Sequence, residues 1–421
     1  MKNLKTRLAL MNFLEFAVWG AYLTCMGRYL GNIGVGTEIG YFYSMQGVVS
    51  IFMPAVIGIV ADRWIPAQKM LGICHLVAAV FMILTAWYGA TAEGGVDFAT
   101  IFSLYSLSVA FYMPTIALSN SVAYTALRQA GMDTVKDFPP IRVFGTVGFI
   151  LTMWFVDIMG FQTNHWQFVT SAVIGIVLFL YSFTLPQCPV AKGDEHRSLS
   201  EAFGLQAFTL FRQKQMALFF IFSMLLGISL QITNGYANPF ISSFASEPEF
   251  ADTFGVQHAN ILISLSQISE TLCILLIPFC MKRFGIKNVM LISMLAWVLR
   301  FGLFSVGDPG SGVWMFILSM IVYGVAFDFF NVSGSLFVDQ NTTPEIRSSA
   351  QGLFMLMTNG IGGTIGVIAA QQIINAYTHG MKIGDQFYTV GEWSTCWFIF
   401  SAYALVVGLV FALVFHPQKL K

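Results

Sequence analysis

The stretch that decides the fold runs from Ala259 to Cys280 and reads ANILISLSQISETLCILLIPFC. It contains no Lys, Arg or Asp, and its one acidic side chain is Glu270, near the midpoint. An apolar run of this length spans the hydrocarbon core of a bilayer, about 30 Å, as a helix. A carboxylate at that depth costs about 2.5–3.5 kcal/mol on insertion scales, so such acids usually face a water-filled cavity and take part in transport. Gln267 lies one turn earlier, so an amide and a carboxylate share one helical face.

The composition of the whole chain is that of an integral membrane protein. Of the 421 residues, 56% are hydrophobic and only 10% are charged, whereas a soluble domain carries about 25% charged residues. The net charge is zero, so we expect no nucleic-acid partner. The cysteines form no CxxC pair and the histidines no HExxH motif, so the sequence predicts neither a metal site nor a cofactor. We also find no nucleophile–base pattern typical of an enzyme.

Twelve apolar segments are predicted to span the membrane, judged with a window of about 19 residues. They lie at residues 8–29, 39–61, 70–90, 98–124, 141–160, 166–186, 215–243, 257–280, 287–306, 311–337, 348–376 and 393–416. The longest polar stretch follows the sixth segment. We therefore predict an all-α protein with a six-helix half at 1–186, a central loop at 187–214 and a second six-helix half at 215–421. Transporters built from two such halves bind substrate near the midplane, between the halves.

The basic residues predict the orientation. If both termini lie on one side, the loops of that side hold all but three of the 21 Lys and Arg residues. The exceptions are Arg28 and Lys382 on the opposite side and Arg300 inside a span. By the positive-inside rule, both termini and the central loop are then cytoplasmic.

Polar side chains inside the predicted spans form stripes. In the fifth span, Arg142, Thr146 and Phe149 follow at i, i+4 and i+7, after two prolines at 139 and 140 that suit a helix N-terminus. The other positions are Gln231 and Asn234 in the seventh span, Gln267 and Glu270 in the eighth, Tyr323, Phe327, Asp328 and Asn331 in the tenth, Glu15 in the first and Arg300 in the ninth. The acids of the eighth and tenth spans are the hardest to explain structurally, because both lie near mid-span.

Each of these positions also has a structural interpretation. Arg142 could extend to the cytoplasmic headgroups. Glu15 and Arg300 lie nearer the ends of their spans, where the same behaviour or a structural ion pair is favoured. The amides of the seventh span could form interhelical hydrogen bonds worth about 0.6 kcal/mol each. The rings of the tenth span could be ordinary packing residues.

Together, the stripes of the fifth, seventh, eighth and tenth spans predict a recognisable chemistry. Amides can bind the donor and acceptor edge of a heterocycle, a carboxylate accepts hydrogen bonds from vicinal hydroxyls, and aromatic faces stack on a planar base. A nucleoside has all three features. A hexose would also use the acid and the amides, so the residues alone leave both ligands open.

Six stretches of the chain resemble bacterial nucleoside:proton symporters of the major facilitator superfamily. They are Gly58–Arg63, Gly131–Arg142, Phe222–Gly227, Gln231–Asn234, Ser264–Thr271 and Tyr323–Asn331. The DFPPIR and SQISET segments within them are specific, and the resemblance covers nearly the whole chain. It implies a twelve-helix major facilitator fold, an alternating-access cycle and proton-driven nucleoside uptake across a bacterial cytoplasmic membrane.

The resemblance also implies roles for individual residues. Those matching the nucleoside-binding positions are Arg142, Thr146, Phe149, Gln231, Asn234, Gln267, Glu270, Tyr323 and Phe327. An acid matching Asp328 is tied to transport. Because a low dielectric disfavours an ionised carboxylate, Asp328 is the expected proton carrier, with Glu270 second and Glu15 third. We expect a monomer whose partners are a nucleoside, protons and the lipid bilayer. A sugar or other small polar solute transporter of the same fold, and a nucleoside uniporter, stay as alternatives.

One loop departs from the superfamily pattern. Between the second and third spans, a glycine, Asp-Arg, a second glycine and several basic residues are usual. Here Trp64 stands in place of the second glycine, and only Lys69 remains of the basic run. This leaves open how the loop stabilises the inward-closed state, but it does not affect the expected substrate site.

Overall fold

The computed structural model describes residues 3–92, 95–189, 205–343 and 346–416, without the side chains of Ile59, Asp62, Arg63, Val135, Arg347 and Ser348. Helices make up most of these residues. In the first part of the chain they are α1 (Leu4–Gly20), α2 (Met26–Asn32), α3 (Ile39–Arg63), α4 (Ala67–Thr91), α5 (Phe98–Gln129), α6 (Thr134–Ile158) and α7 (Trp166–Ser182). Part of the predicted central loop, 190–204, and the end of the chain, 417–421, lie outside the described residues.

The second part of the chain is also helical, with one β-hairpin. Its elements are α8 (Lys214–Leu230), α9 (Ile232–Ser243), α10 (Phe254–Gln257), α11 (Ala259–Ile274), α12 (Ile277–Val306), α13 (Val313–Gln340), α14 (Arg347–Met355), a π-helical segment (Leu356–Gly362), α15 (Gly363–Tyr377), β1 (Thr378–Ile383), β2 (Gln386–Gly391) and α16 (Trp393–Val414).

The described residues form two compact units. One comprises Met1–Glu38 and Val48–Ser198, and the other comprises Ile39–Gly47 and Leu199–Lys421, each over its described residues. Below they are called the first and the second unit. The predicted boundaries of the two six-helix halves, at 186 and 215, stay a prediction.

The predicted helical membrane class is confirmed. Nine helices within the described ranges are long and apolar enough to cross a membrane, and the shorter helices Trp166–Ser182 and Ala259–Ile274 are also apolar. The first predicted span is divided between α1 and α2 by a non-helical turn. The number of twelve spans therefore stays a prediction.

The eighth predicted span passes from α11 into the first part of α12. Ala259–Cys280 reads as one apolar run, and Leu275 and Leu276 between the two helices keep right-handed helical backbone angles. Pro278 lies in the first turn of α12, where a residue without an amide hydrogen is well tolerated. The helical backbone breaks at Gly285, where φ is +74°, and this break lies between the eighth and ninth predicted spans.

The fifth predicted span begins earlier than expected. The prolines at 139 and 140 predict a helix start, yet α6 begins at Thr134 and carries both prolines in its interior. A proline removes one backbone donor, which early in a helix costs few hydrogen bonds. The prediction of the start was wrong by more than one turn, but the stripe that follows the prolines stays helical.

Close contact between α1 and α6 organises the first unit. A methyl group added at Gly148 would collide with the carbonyl oxygen of Phe13, and one added at Gly20 would collide with the backbone of Phe149. Glycine is therefore required at both positions for the two backbones to approach, as is usual where small residues line helix interfaces in membranes. This contact places the inner face of α6 directly against α1.

Aromatic rings pack the second unit in two clusters. Phe219 stacks on Phe354 with ring centroids 5.4 Å apart. In a separate cluster, Phe240 meets Trp397 edge-on at 5.3 Å, and Trp397 meets Phe304 at 5.0 Å. Each such pair contributes about 0.5–1.5 kcal/mol beyond the area it buries.

The hairpin between α15 and α16 was not predicted. Its strands pair antiparallel from Thr378↔Gly391 to Ile383↔Gln386, and Gly384 and Asp385 form the two-residue turn. Gly384 has φ +61°, the left-handed conformation that such turns need. The Gly-Asp pair is the sequence signal that could have identified this hairpin.

We expect Gly384→Ala to loosen the hairpin, because a left-handed conformation costs an L residue about 1–2 kcal/mol. Hydrogen–deuterium exchange of the strand amides should accelerate about 5–30-fold. Gly380→Ala is the matched control, since Gly380 lies on β1 without a positive φ and an added methyl there meets nothing within 4 Å. Equal acceleration in both variants would contradict the assignment of the turn.

Candidate functional site

The predicted residues of the fifth span lie on α6, in the first unit. Because the segment is helical, Arg142, Thr146 and Phe149 share one face. Phe149 is buried and the other two are partly buried. Val143 and Val147 on the opposite side are exposed. The stripe therefore faces the interior of its unit, as the spacing predicts.

α1 forms the surface against which this stripe packs. The Cζ atom of Arg142 lies 3.8 Å from the centre of the Phe16 ring. The ring of Phe149 meets Trp19 edge-on, with centroids 6.2 Å apart. A guanidinium over a ring contributes about 0.5–2 kcal/mol, depending on desolvation. Arg142 thus packs across the α1–α6 interface, which differs from the headgroup position considered as its structural alternative.

In the second unit, Gln231 is the single residue between α8 and α9. Its side-chain oxygen accepts a hydrogen bond from Asn234 Nδ2 at 3.0 Å. Gln231 is buried and Asn234 is partly buried. The bond joins residues of one local turn, so it is not the interhelical contact considered as the structural alternative. It orients the two amides as one polar group.

A glycine lets α13 approach α11 in the same unit. A methyl group at Gly324 would meet the backbone of Ser269 within 2.6 Å. The hydroxyl of Ser269 donates a hydrogen bond to the carbonyl oxygen of Ile321. Gln267 and Glu270 flank this contact along α11. The acid and amide of the eighth predicted span are thereby held against the stripe of the tenth.

The two mid-span acids lie close enough to influence each other. Glu270 interacts electrostatically with both Asp328 and Tyr323. Asp328 is only 4% exposed, and its Oδ2 atom has no hydrogen-bond partner among the residues that the structure describes. Gln267 is also buried, and its side-chain oxygen lacks a partner within the same described residues. Because an unpaired buried polar atom is costly, these oxygens are suited to bind a proton or a ligand.

Aromatic rings form a flat surface beside these acids. Tyr323 and Phe327 stack with centroids 5.7 Å apart and planes inclined by 10°. The Cζ atom of Arg300 lies 4.5 Å from the centre of the Tyr323 ring. Trp297 meets Tyr323 edge-on at 5.9 Å. The two stacked rings are thus fixed by a cation and by a third ring.

Arg300 corrects an expectation from the sequence. Its position near a span end favoured snorkelling or a structural ion pair, yet it is only 2% exposed. Its Nη1 atom donates to the carbonyl oxygen of Ser319 at 2.8 Å, and the ion pairs found among the described residues do not include it. α12 ends at Val306, as the ninth predicted span does, so the expectation failed because the side chain contacts α13 and does not extend to the helix end. Trp297 was missed, although its i−3 spacing from Arg300 is a readable signal.

Glu15 is held by a buried partner on another helix, which is close to the structural interpretation of an ion pair. Its Oε2 atom lies 2.7 Å from His75 Nε2, and both side chains are fully buried. His75 was missed because the histidines were considered only as metal ligands. The signal was an ionisable ring inside the apolar run of the third predicted span.

The predicted residues therefore fall into two groups, each within one unit. Arg142, Thr146 and Phe149 belong to the first unit. The second unit holds the others, which are Gln231, Asn234, Gln267, Glu270, Tyr323, Phe327 and Asp328. Within that unit, a small cavity is lined by Leu230, which precedes Gln231, and by Trp297 and Phe327. The second unit thus combines amides, two acids and stacked rings, a set that can bind a polar ligand with a planar part.

Comparison with known proteins agrees with this chemistry. Residues 1–420 match the family described as "Nucleoside H+ symporter". The chain is 46% identical to the nucleoside permease NupG of Escherichia coli (strain K12), covering 100% of this chain and 97% of that protein. It is 44% identical to the xanthosine permease of the same organism, covering 100% and 98%. A crystal structure of the nucleoside transporter NupG superimposes with a TM-score of 0.88 at 45% identity, covering 99% and 100%.

We expect Gly324→Ala to destabilise the second unit, because its methyl group would force α13 away from Ser269. Overpacking of this kind costs about 1–3 kcal/mol, which should lower the thermal denaturation midpoint of the purified protein. Gly302→Ala is the matched control, since its methyl group would lie at an ordinary 3.6 Å from Ser401 Oγ. Equal midpoints for the two variants would contradict the close α11–α13 contact.

Proposed function

We propose how this chain moves a nucleoside together with protons. The chain belongs to the nucleoside H+ symporter family and is a multi-pass membrane transporter of the major facilitator fold. The chain is a transporter and not an enzyme. In the proposal, 1–186 and 215–421 are two six-helix halves and 187–214 is a cytoplasmic loop. The protein lies in a bacterial cytoplasmic membrane as a monomer, with both termini in the cytoplasm. The distribution of Lys and Arg supports this orientation.

One observation carries the mechanism. In the second unit, two acids lie beside a stacked pair of rings, and one acid has an oxygen without a partner among the described residues. A planar heterocycle joined to a diol needs both features, because its base stacks and its hydroxyls donate to a carboxylate. The arrangement supports a nucleoside as the ligand.

The proposed roles follow from the chemistry of each side chain. Glu270 accepts hydrogen bonds from the ribose hydroxyls. The amides Gln231, Asn234 and Gln267 contact the base or the sugar, since each offers both donors and acceptors. The base stacks on an aromatic ring, with Phe327 as the proposed platform in the second unit.

The first unit contributes the α6 stripe to the same proposal. The guanidinium of Arg142 can donate to nucleoside oxygens, and the hydroxyl of Thr146 can donate or accept. Phe149 offers a second aromatic surface and is held by its contact with Trp19. The central helix contact of this unit supports these positions, because Gly148 and Gly20 press α6 against α1.

Asp328 is the proposed proton carrier, with Glu270 as the second candidate. The buried carboxyl of Asp328 has no cation paired with it among the described residues, and its Oδ2 atom has no hydrogen-bond partner there. Protonation removes a charge that would resist burial, and this is the change proposed to advance the alternating-access cycle. A membrane potential then contributes about 2.3 kcal/mol per charge per 100 mV to uptake.

We expect Glu270→Gln to abolish nucleoside binding while the protein stays folded. The amide keeps the shape of the side chain but loses the charged acceptor, whose hydrogen bonds contribute about 1.5–3 kcal/mol. Calorimetric titration with uridine should show binding weakened at least about 10-fold. The control is Glu392→Gln, which makes the same exchange at an exposed position before α16. Near-native binding by Glu270→Gln would exclude this residue from the site.

We expect Asp328→Asn to uncouple transport. Exchange of labelled uridine across proteoliposomes should continue, whereas accumulation against a gradient should be lost because the amide binds no proton in the working pH range. Asp157→Asn is the matched control, since Asp157 is an equally buried carboxylate at 4% exposure. If Asp328→Asn accumulates uridine to the normal level, the proton carrier is another residue.

A further inference from the structure

A buried acid–base pair in the first unit lies outside the proposed nucleoside contacts. Glu15 of α1 and His75 of α4 are in contact at 2.7 Å with no exposure of either side chain. We propose that this pair is a second proton-binding site, which binds and releases one proton in the transport cycle in addition to Asp328. The inference deepens the proposed symport and rests on it.

The hydrogen bonds around Glu15 suit a carboxyl group that gains and loses a proton. Thr115 Oγ1 lies 2.5 Å from Glu15 Oε1 and also 2.5 Å from the carbonyl oxygen of Tyr112. A hydroxyl has one hydrogen, so Thr115 cannot donate to both oxygens. Both contacts are satisfied when the carboxyl of Glu15 donates its proton to Thr115, which then donates to the Tyr112 carbonyl. His75 Nε2–H meanwhile donates to the other carboxyl oxygen.

Loss of that proton leaves an arrangement in which the carboxylate is still hydrogen-bonded, although the Thr115 hydroxyl no longer donates to the Tyr112 carbonyl. The Thr115 hydroxyl rotates to donate to the ionised carboxylate, and His75 Nε2–H still donates to Oε2. The two forms differ by one proton at Glu15 Oε1 and by the direction of one hydroxyl. Hydrogen bonds thus support the carboxyl in both states, and a change of one net charge accompanies the switch.

A route for the proton adjoins the pair. His75 Nδ1 is buried and has no hydrogen-bond partner among the described residues. It lines a cavity with about 10 Å³ of space for the centre of a water molecule, together with Val18, Ser108 and Ser171. That is room for about one water. From the ionised form, His75 Nδ1 can therefore take up a proton from this cavity while Nε2 releases its own proton to Glu15 Oε2, so that the pair gains one proton and Nε2 then accepts a hydrogen bond from the carboxyl.

Of the residues that the structure describes, four elements add titratable, charged or polar groups that face the pair. α4 adds the thiol of Cys74, which interacts electrostatically with Glu15. α5 adds Tyr112, whose hydroxyl donates to the Glu15 carbonyl oxygen at 3.0 Å and whose ring meets His75. α6 adds Arg142, and α7 contributes the neutral hydroxyl of Ser171, which donates to the Val18 carbonyl. Tyr22, after α1, lines the same cavity as His75. Arg142 is thus the cation that would sense the charge of Glu15.

Contacts along α1 connect the pair to the proposed substrate stripe. The guanidinium of Arg142 lies over the ring of Phe16, which follows Glu15 in the chain. Trp19, one turn further, touches both Tyr112 and Phe149, with centroids 6.1 Å and 6.2 Å away. A change of charge at Glu15 therefore acts on two of the residues proposed to contact the nucleoside.

The test counts protons per nucleoside from reversal potentials of uridine transport in proteoliposomes. Glu15→Gln keeps the shape of the side chain but binds no proton, so the ratio should fall by one proton relative to the wild type. The matched control is Asp157→Asn, a buried carboxylate of the same unit that accepts from the amide of Gln162 at 2.9 Å and not from an imidazole. Its ratio should equal that of the wild type.

An unchanged ratio in a folded, transporting Glu15→Gln protein would overturn the proposal, because a purely structural ion pair predicts that result. If the variant does not transport, nuclear magnetic resonance of the wild type tests the proposal instead, through the ¹⁵N signals of the His75 ring. These signals are assigned by their absence from the double variant Glu15→Gln/His75→Gln. The two amides of that variant can still hydrogen-bond to each other. Signals that change with pH support the pair as a proton site, and signals that stay constant overturn it. Absence of any proton coupling in the wild type would instead refute the proposed symport.

Discussion

The cost of placing charge inside an apolar helix bundle governs where polar chemistry lies in this protein. Glu15 is stabilised by His75 and by the hydroxyl of Thr115. Arg300 is stabilised by a backbone carbonyl and by the Tyr323 ring. Asp328 is a buried acid with one oxygen that has no hydrogen-bond partner among the described residues and with no cation paired to it there. Binding a proton would remove its charge, and a proton-coupled transporter needs a group that can do this.

Glycines determine how closely the supporting helices approach. In the first unit, Gly148 brings α6 onto α1, and in the second, Gly324 brings α13 onto α11. Each contact lies within a turn of proposed site residues, such as Phe149 and Tyr323. Functional side chains therefore project from rigid helix pairs, which favours a fixed geometry of the site.

The regular parts of this structure could be predicted from the sequence because they follow from two simple periods. The length of an apolar run predicts a span, and the 3.6-residue repeat predicted that Arg142, Thr146 and Phe149 share a face. Family resemblance added the nucleoside, which the residues alone did not separate from a hexose. The helical membrane class and the symporter family are confirmed, while the roles of individual site residues stay predictions.

Other features depend on contacts that a linear pattern does not contain. The burial of Arg300 depends on the Ser319 carbonyl oxygen and the Tyr323 ring, both of which belong to α13. The partner of Glu15 is His75, which is distant in the chain and comes from a different helix. Pairings between helices are set by packing in three dimensions, which one sequence does not specify.

The most direct test of the account is uptake of labelled uridine and adenosine by the purified wild-type protein in proteoliposomes, with and without an inward proton gradient. The account predicts accumulation above the external concentration only when the gradient is present. Equilibration to the external concentration under both conditions would contradict proton coupling and indicate a uniporter. No uptake of either nucleoside by a folded protein, together with uptake of a labelled hexose, would contradict the assignment of the ligand.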